Sequence, residues 1–185
     1  MKEPITTKEV IIIVAYLAKT FGIGNKGTLP WENIKKDMER FARETAGHTV
    51  IMGKGTWISL PDKYRPLPGR QNIVVSKTLT STDVRKKALL ATSLTDAIRM
   101  ASREKIFLIG GESLFKEAMD TGVVNKILAT VVHKELDADR FFPTINSKPW
   151  RNVSQENPGI DGPSGIKIQF LTLVNTENPH FSEIF

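Results

Sequence analysis

The chain has 185 residues, 40% of them hydrophobic, which suits one domain with a sizeable core. It has no cysteine, so disulfide frameworks, thiolate nucleophiles and cysteine-containing zinc sites are excluded. The 26 basic against 20 acidic side chains give a formal charge of +6, favouring anionic partners. The basic residues Lys35, Lys36, Lys54, Arg65, Arg70, Lys77, Arg85, Lys86 and Lys87 are scattered, which fits a small anionic ligand better than nucleic acid. His48, His133 and His180 lie too far apart for a metal-binding pair and read as ordinary strand or surface residues, so no metal is expected. No apolar run approaches the ~20 residues of a membrane span, and the start Met1-Lys2-Glu3-Pro4-Ile5 lacks a signal-peptide pattern. A cytoplasmic protein without membrane partners is expected.

In chain order, the first strand is expected at 10–16, a continuous apolar run that sheet burial on both faces would explain. Gly22-Ile23-Gly24-Asn25-Lys26-Gly27 fits G-x-G-x-x-G, but Thr28-Leu29-Pro30-Trp31 follows and no helix can start before about Asn33. A Rossmann turn must open a helix directly, so this is read as a permissive glycine-rich loop over a site. The first helix places Ile34, Met38, Phe41, Ala42 and Thr45 on one face and stops at Gly47. Asp37 falls on the margin of that face. It is either a carboxylate reaching past the rim to solvent or a partly buried one in a ligand cleft, with Trp31 upstream able to shield it.

Strands follow at 49–52 and 72–76, separated by a Pro- and Gly-rich loop at 61–69, and then at 88–91. Ser93 and Asp96 form a capping-box arrangement that opens a helix burying Leu94, Ala97, Ile98 and Ala101. A strand at 106–109 leads into Gly110-Gly111-Glu112-Ser113 and a helix over about 112–121 ending at Gly122, then a strand at 126–133. The segment 158–165 reads as a surface loop. In the last strand, 166–174, Ile166, Ile168 and Phe170 alternate with Lys167 and Gln169, the mark of one wet face and of an antiparallel edge strand. Alternating strands and helices indicate an α/β fold with a mainly parallel sheet. Gly53-Lys54-Gly55-Thr56 is not a P-loop, yet it and Gly110-Gly111 are both glycine turns at the carboxyl ends of strands. Together they suit a ligand with a pyrophosphate.

These pieces resemble dihydrofolate reductase, nearly end to end from Val10 to Val174. The likeness is carried by Ile13-Val14-Ala15, Gly22-Ile23-Gly24, Leu29-Pro30-Trp31, Asp37 and Phe41. It continues through Val50-Ile51-Met52-Gly53-Lys54-Gly55-Thr56-Trp57, Arg65-Pro66-Leu67-Pro68-Gly69-Arg70, Asn72-Ile73-Val74-Val75-Ser76, Ile109-Gly110-Gly111, Thr130 and Phe141-Phe142-Pro143. The resemblance implies a single-domain, mainly parallel eight-stranded twisted sheet with an antiparallel C-terminal edge strand and about four flanking helices. A flexible N-terminus at 1–8 and a C-terminal tail at 176–185 would flank it.

It also implies NADPH-dependent reduction of dihydrofolate, with hydride transfer to carbon 6 and protonation of the adjacent nitrogen, in support of one-carbon metabolism and thymidylate synthesis. Asp37, Trp31 and Thr130 would be catalytic, Trp31 through an ordered water. Substrate would meet Val14, Ala15, Asp37, Met38, Phe41, Thr56, Ile58, Leu60, Tyr64, Leu67, Ile109 and Thr130, with Arg70 on the folate α-carboxylate. The cofactor would meet Ala15, Ile23, Gly27, Thr28, Gly53, Lys54, Gly55, Thr56, Val75, Ile109, Gly110, Gly111, Glu112, Ser113, Leu114 and Phe115, with Ser76 and Lys77 at the 2′-phosphate. Antifolate inhibitors would be ligands, and the chain would be a monomer unless fused to thymidylate synthase.

The chain departs from the pattern at Phe115, where the family usually has Tyr, and at Tyr16–Phe21, which is six residues where five are usual. Met38 and Tyr64 occupy variable substrate positions. The competing readings are a pyrimidine reductase of flavin biosynthesis, against which Asp37 and Arg70 argue, and a non-catalytic dinucleotide- or RNA-binding module.

Overall fold

The structure is a computed structural model that describes residues 8–84 and 87–177. Arg85, Lys86, His180, the expected N-terminal extension up to residue 7 and the tail from residue 178 lie outside the described residues. Lys8, the last residue of that extension, donates to the carbonyls of Ile98 (2.9 Å) and Arg99 (3.2 Å).

The elements in chain order are strands β1 (Glu9–Leu17) and β2 (Gly22–Gly24), helix α1 (Lys35–Thr45), β3 (Thr49–Gly53) and α2 (Lys54–Ser59), followed by a 3-10 turn (Asp62–Tyr64). Then come β4 (Gln71–Val75), β5 (Leu89–Ala91), α3 (Leu94–Met100), β6 (Lys105–Leu108), α4 (Glu112–Asp120), β7 (Lys126–His133), β8 (Arg140–Phe141), β9 (Trp150–Ile160) and β10 (Lys167–Asn175). Eight strands form one sheet in the order β5-β4-β3-β6-β1-β7-β10-β9. The six from β5 to β7 are mutually parallel, and β10 and β9 run antiparallel to their neighbours.

The continuous apolar strands are continuous because helices cover both faces. Ile11, Ile13, Val50, Met52, Val74 and Leu128 face one way with Trp57 of α2 and Phe41 of α1. Ile12, Ile51, Ile73, Leu108 and Ala129 face the other way with Leu94 and Ala97 of α3 and Leu114, Phe115 and Ala118 of α4. Ser93 caps the helix as expected, its hydroxyl accepting from the Asp96 N–H at 3.1 Å, while the Asp96 carboxylate takes the Ser93 hydroxyl proton at 2.7 Å and not the backbone N–H of a full capping box.

Three expectations need correction. The antiparallel C-terminal strand exists, but the sheet edge belongs to β9, whose residues 158–160 read as loop in the sequence. β9 is polar and exposed along most of its length, and its pairing with β10 shifts register twice. It therefore carries no period-2 apolar signal, and an edge is also where a Pro such as Pro158 is tolerated. A second, small sheet of β2 and β8 was not foreseen. Finally, only part of the expected face of α1 turns inward: Ile34 and Thr45 are buried and Phe41 is half-buried, but Met38 and Ala42 are exposed, and Arg40 is buried.

The turn after β9 fixes α1. Ile34, at the N-cap, offers no side-chain acceptor; the Asp161 carboxylate accepts the Lys36 N–H at 3.0 Å instead. Lys36 Nζ in turn donates to the carbonyls of Pro158 (2.6 Å) and Ile160 (3.0 Å). Asp161 also takes the Ser164 hydroxyl at 2.8 Å. These donors, the Lys36 N–H foremost, hold its carboxyl below the usual carboxylate range. A carboxylate whose pKa is depressed by folding stabilises the fold above its unfolded value and loses that contribution as pH falls through the folded one. Asp161→Ala is expected to melt lower than wild type at neutral pH by roughly 2–4 °C. The difference is expected to close in acid, as thermal melts across the acid range will show.

Candidate active site

α1 lies over the carboxyl-terminal halves of β1 and β7, where Ala15 and Thr130 are register partners. Successive residues alternate faces, so Thr130 shares the α1 face with Leu128 while Ala129 points away. The Thr130 hydroxyl lies beside the Asp37 carboxylate. Burial pushes the Asp37 pKa up; the Thr130 hydroxyl and the positive charge of Arg40 pull it partly back. Asp37 is a partly buried acid on the side of α1 that meets the sheet, with the Thr130 hydroxyl beside it.

Arg40 was not foreseen as part of this group. Its Nη1 donates to the Ala129 carbonyl at 2.8 Å and to Thr130 Oγ1 at 3.4 Å, and its guanidinium stacks over the Phe170 ring at 4.4 Å. The signal available in the sequence was its spacing, three residues after Asp37 on one helix. Trp31 is buried with Leu17, Ile34, Val132 and Ile168, and Ala15 and Phe170 pack on that cluster. It walls the same end of the sheet against water.

The facing wall comes from α2 and the segment after it. Ile58 and Tyr64 are exposed, Leu60 is half-buried against the core and Leu67 is buried. Met38 and Phe41 stand on the α1 side, Met38 exposed. Arg70 closes the far end: Nε donates to Thr45 Oγ1 (2.8 Å), Nη1 to the Pro68 carbonyl (2.6 Å) and Nη2 to the Ala42 carbonyl (3.1 Å). Its guanidinium sits over Phe41 at 6.0 Å. These bonds fix the plane of the fork and leave an N–H on each terminal nitrogen for a ligand.

The two glycine turns are brought together because β3 and β6 are adjacent parallel strands. The Gly53 N–H donates to the Gly110 carbonyl at 2.7 Å. A Cβ on Gly110, whose φ is +118°, would stand 3.2 Å from Thr56 Oγ1, so the space between the turns admits backbone only. Neither α2 nor α4 has a side-chain cap at its N-terminus. Lys54 Nζ reaches Thr78 Oγ1 at 3.0 Å, joining the first turn to the one after β4. There Ser76 Oγ accepts the Thr78 and Leu79 N–H groups, both at 3.1 Å, while Lys77 is exposed. Thr78 is a further member of this group that was not anticipated.

The G-x-G-x-x-G segment is a hairpin tip. Asn25 and Thr28 exchange backbone hydrogen bonds, and Lys26 and Gly27 both have positive φ (49° and 81°), as a two-residue hairpin turn requires. The tip is tied down: the Lys26 N–H donates to Asp139 Oδ2 at 3.0 Å, and β2 pairs with β8. Glu112, at the start of α4, accepts the Phe141 N–H at 2.9 Å and so links that hairpin to the second glycine turn. Ile23 is half-buried within it, Thr28 is exposed at the tip, and Val75, at the end of β4, and Ile109, just after β6, are half-buried. Val14, Leu114 and Phe115 point into the core under α3 and α4, so only their backbone can face a ligand. Gly55 and Ser113 are exposed.

A family model for dihydrofolate reductase matches residues 9–175. The chain belongs to the dihydrofolate reductase family. It is 32% identical over 175 residues to a dihydrofolate reductase of Drosophila melanogaster, covering 87% of this chain and 95% of that one. It is 35% identical over 178 residues to a viral dihydrofolate reductase of Saimiriine herpesvirus 2 (strain 488), covering 85% and 83%, and 35% identical over 175 residues to the dihydrofolate reductase of Pneumocystis carinii, covering 83% and 84%.

Within a dihydrofolate reductase fold, Phe115 in place of the usual tyrosine has a local explanation. Its ring is buried, meets Phe142 edge-on at 5.2 Å and lies against Gly110, an apolar setting in which a hydroxyl would need its own partner. The longer Tyr16–Phe21 segment closes with the Phe21 N–H on the Leu17 carbonyl at 2.9 Å, and the Phe21 ring stacks on Tyr16 at 4.9 Å. None of the helices described is long and apolar enough to cross a membrane.

Proposed function

We propose that the protein is a cytoplasmic, NADPH-dependent reductase of dihydrofolate, forming tetrahydrofolate for one-carbon metabolism, and that residues 9–175 work as one domain. The observation that carries this reading is the Asp37 carboxylate, partly buried beside the sheet next to the Thr130 hydroxyl, with a raised pKa. An ionised carboxylate is acceptor-only with two oxygens, which matches the two adjacent N–H donors of a 2-aminopteridine. Asp37 orients that ring and holds a proton at a higher pH than an exposed carboxylate does. Trp31 keeps bulk water from the pair. Phe41 and Met38 pack one side of the folate, Ile58, Leu60 and Leu67 the other, and Arg70 presents its terminal N–H groups to the α-carboxylate.

The residues present fit a dinucleotide. The paired glycine turns leave a cradle that a Cβ on Gly110 would fill, and two uncapped helix starts open onto it. Lys54 and Thr56 would hold the pyrophosphate, with Ser76 and Lys77 at the 2′-phosphate. Ala15, Ile23 and Ile109 would flank the nicotinamide, positioning it against the pterin. When bound, the cofactor supplies the hydride.

The deciding experiment is loss of NADPH absorbance with and without dihydrofolate; consumption that does not depend on dihydrofolate would remove the substrate assignment. The cofactor preference has its own expected result. Lys77→Met should lower the ratio of kcat/KM for NADPH over NADH about tenfold, with NADH kinetics unchanged, because a charge-assisted contact is worth about 1.5–3 kcal/mol. An unchanged ratio would place the 2′-phosphate elsewhere.

A further inference from the structure

Arg40 is a charged side chain buried between α1 and the sheet, and neither the pterin contacts nor the cofactor contacts assigned above use it. Its partners are unusual for an arginine. It makes no close ion pair among the described residues; its nearest acceptors are the Ala129 carbonyl at 2.8 Å, Thr130 Oγ1 at 3.4 Å and the Leu171 carbonyl at 3.5 Å. A hydroxyl has one proton to give and lone pairs to receive. An arginine cannot accept, so at Thr130 it occupies the receiving side and leaves the hydroxyl proton free to turn toward another acceptor; the neighbouring acceptor is the Asp37 carboxylate, three residues before Arg40 on α1.

We propose that Arg40 is a positioning residue for the Asp37 carboxylate: by donating to Thr130 Oγ1 it commits the threonine proton to Asp37 and places a buried positive charge one helical turn away. This rests on the reading of Asp37 as the pterin-holding acid. Two consequences follow from low-dielectric electrostatics. The ionised form of Asp37, the one that accepts from the pterin, is favoured against the burial that opposes it. The threonine proton is also kept on the carboxylate side, where it favours one rotation of Asp37. The arginine is itself held rigid by its carbonyl acceptors and by the Phe170 ring, across which β10 pairs with Glu156 of β9. The charged groups acting on Arg40 are Glu44, Asp37 and Arg43 on α1 and Glu156 on β9; the one acting on Asp37 is Arg40.

The test follows the Asp37 side-chain carboxyl by carbon-13 NMR across pH without ligands, in wild type, Arg40→Met, Arg40→Lys, Thr130→Val and Glu156→Gln. Arg40→Met is expected to move the Asp37 midpoint to higher pH, and Arg40→Lys, which keeps the charge but not the fork, to move it part of the way. Adding Thr130→Val to both wild type and Arg40→Met is expected to shrink the difference between them, since half of the device is gone. In turnover, Arg40→Met should raise KM for dihydrofolate at mildly acidic pH by about threefold or more relative to mildly alkaline pH, with kcat less affected. If Arg40→Met lowers the melting temperature but leaves the Asp37 midpoint in place, the residue is structural only and the proposal fails. It fails equally if Glu156→Gln moves that midpoint as far as Arg40→Met does. Should Arg40→Met not fold, Arg40→Lys and Thr130→Val still decide. Because the NMR reading needs no substrate, it stands even if dihydrofolate is not the substrate, so the two failures are separable.

Discussion

Asp37→Asn is expected to lower dihydrofolate turnover by about 10²–10⁴-fold while NADPH still binds. The amide keeps the shape but replaces one acceptor with a donor that meets the pterin donors head-on, and it cannot carry the proton. The pH profile separates these effects from simple damage. Burial raises the Asp37 pKa, and the neighbouring Thr130 hydroxyl and Arg40 offset this only in part. Wild-type turnover should therefore be level in acid and decline as pH rises through that raised value. In the variant the proton must come from solvent, so the residual rate should keep climbing toward acid without levelling. An acid whose pKa is raised by folding binds more protons folded than unfolded. Stability then falls as pH rises from the unfolded carboxylate value, about 3.9, through the raised one. A neutral amide escapes that loss, so Asp37→Asn should melt higher than wild type at neutral pH. Near-normal turnover, or a lower melting temperature together with lost NADPH binding, would contradict the role given to Asp37.

Arg70→Leu is expected to raise the KM for dihydrofolate by about 30- to 100-fold, the size of a lost hydrogen bond to a charged group, with kcat nearly unchanged. The fork is held in plane by Thr45, Ala42 and Pro68 before any ligand arrives, so little ordering is left to be done on binding. Burial already disfavours its charge somewhat, and a carboxylate would restore it. Because those same bonds tie the end of α1 to the segment before β4, a second substrate is needed for a clear answer. With a reduced pterin that lacks the glutamate, wild type and Arg70→Leu should turn over equally. If the variant is as impaired on that short substrate, Arg70 acts through α1 and does not contact the carboxylate. Arg70→Lys should behave almost as badly as Leu on dihydrofolate, since a point charge cannot offer the paired N–H groups.

The parts of this protein readable along the chain are those whose physics is local. Strands covered on both faces announce themselves as unbroken apolar runs; the pattern places β7 to the residue and β1, β3, β4 and β6 to within one. The Ser93 cap and the glycine stops at Gly47 and Gly122 needed only neighbouring residues, and both glycines have positive φ in the structure. The Rossmann reading of Gly22–Gly27 fails on local grounds too, and the hairpin with its positive-φ Lys26-Gly27 tip agrees with that. Local reasoning could nominate Asp37 but could not choose between rim and cleft. It missed β9, which is polar along most of its length and exists as a strand because β10 is there to pair with it.

Composition, apolar periodicity and turn chemistry were thus enough to specify an α/β chain with a parallel sheet and its helix ends, and to nominate its buried carboxylate, since each depends on residues a few positions apart. Which strand forms the edge, which face of α1 turns inward, and who caps its N-terminus were decided only by the tertiary structure. Asp161 reaches Lys36 across 125 positions, and Arg40 reaches Ala129 across 89. A helical pattern read alone assigns such an arginine to solvent. Only the sheet beneath supplies the carbonyls, the threonine hydroxyl and the aromatic face that make its burial favourable.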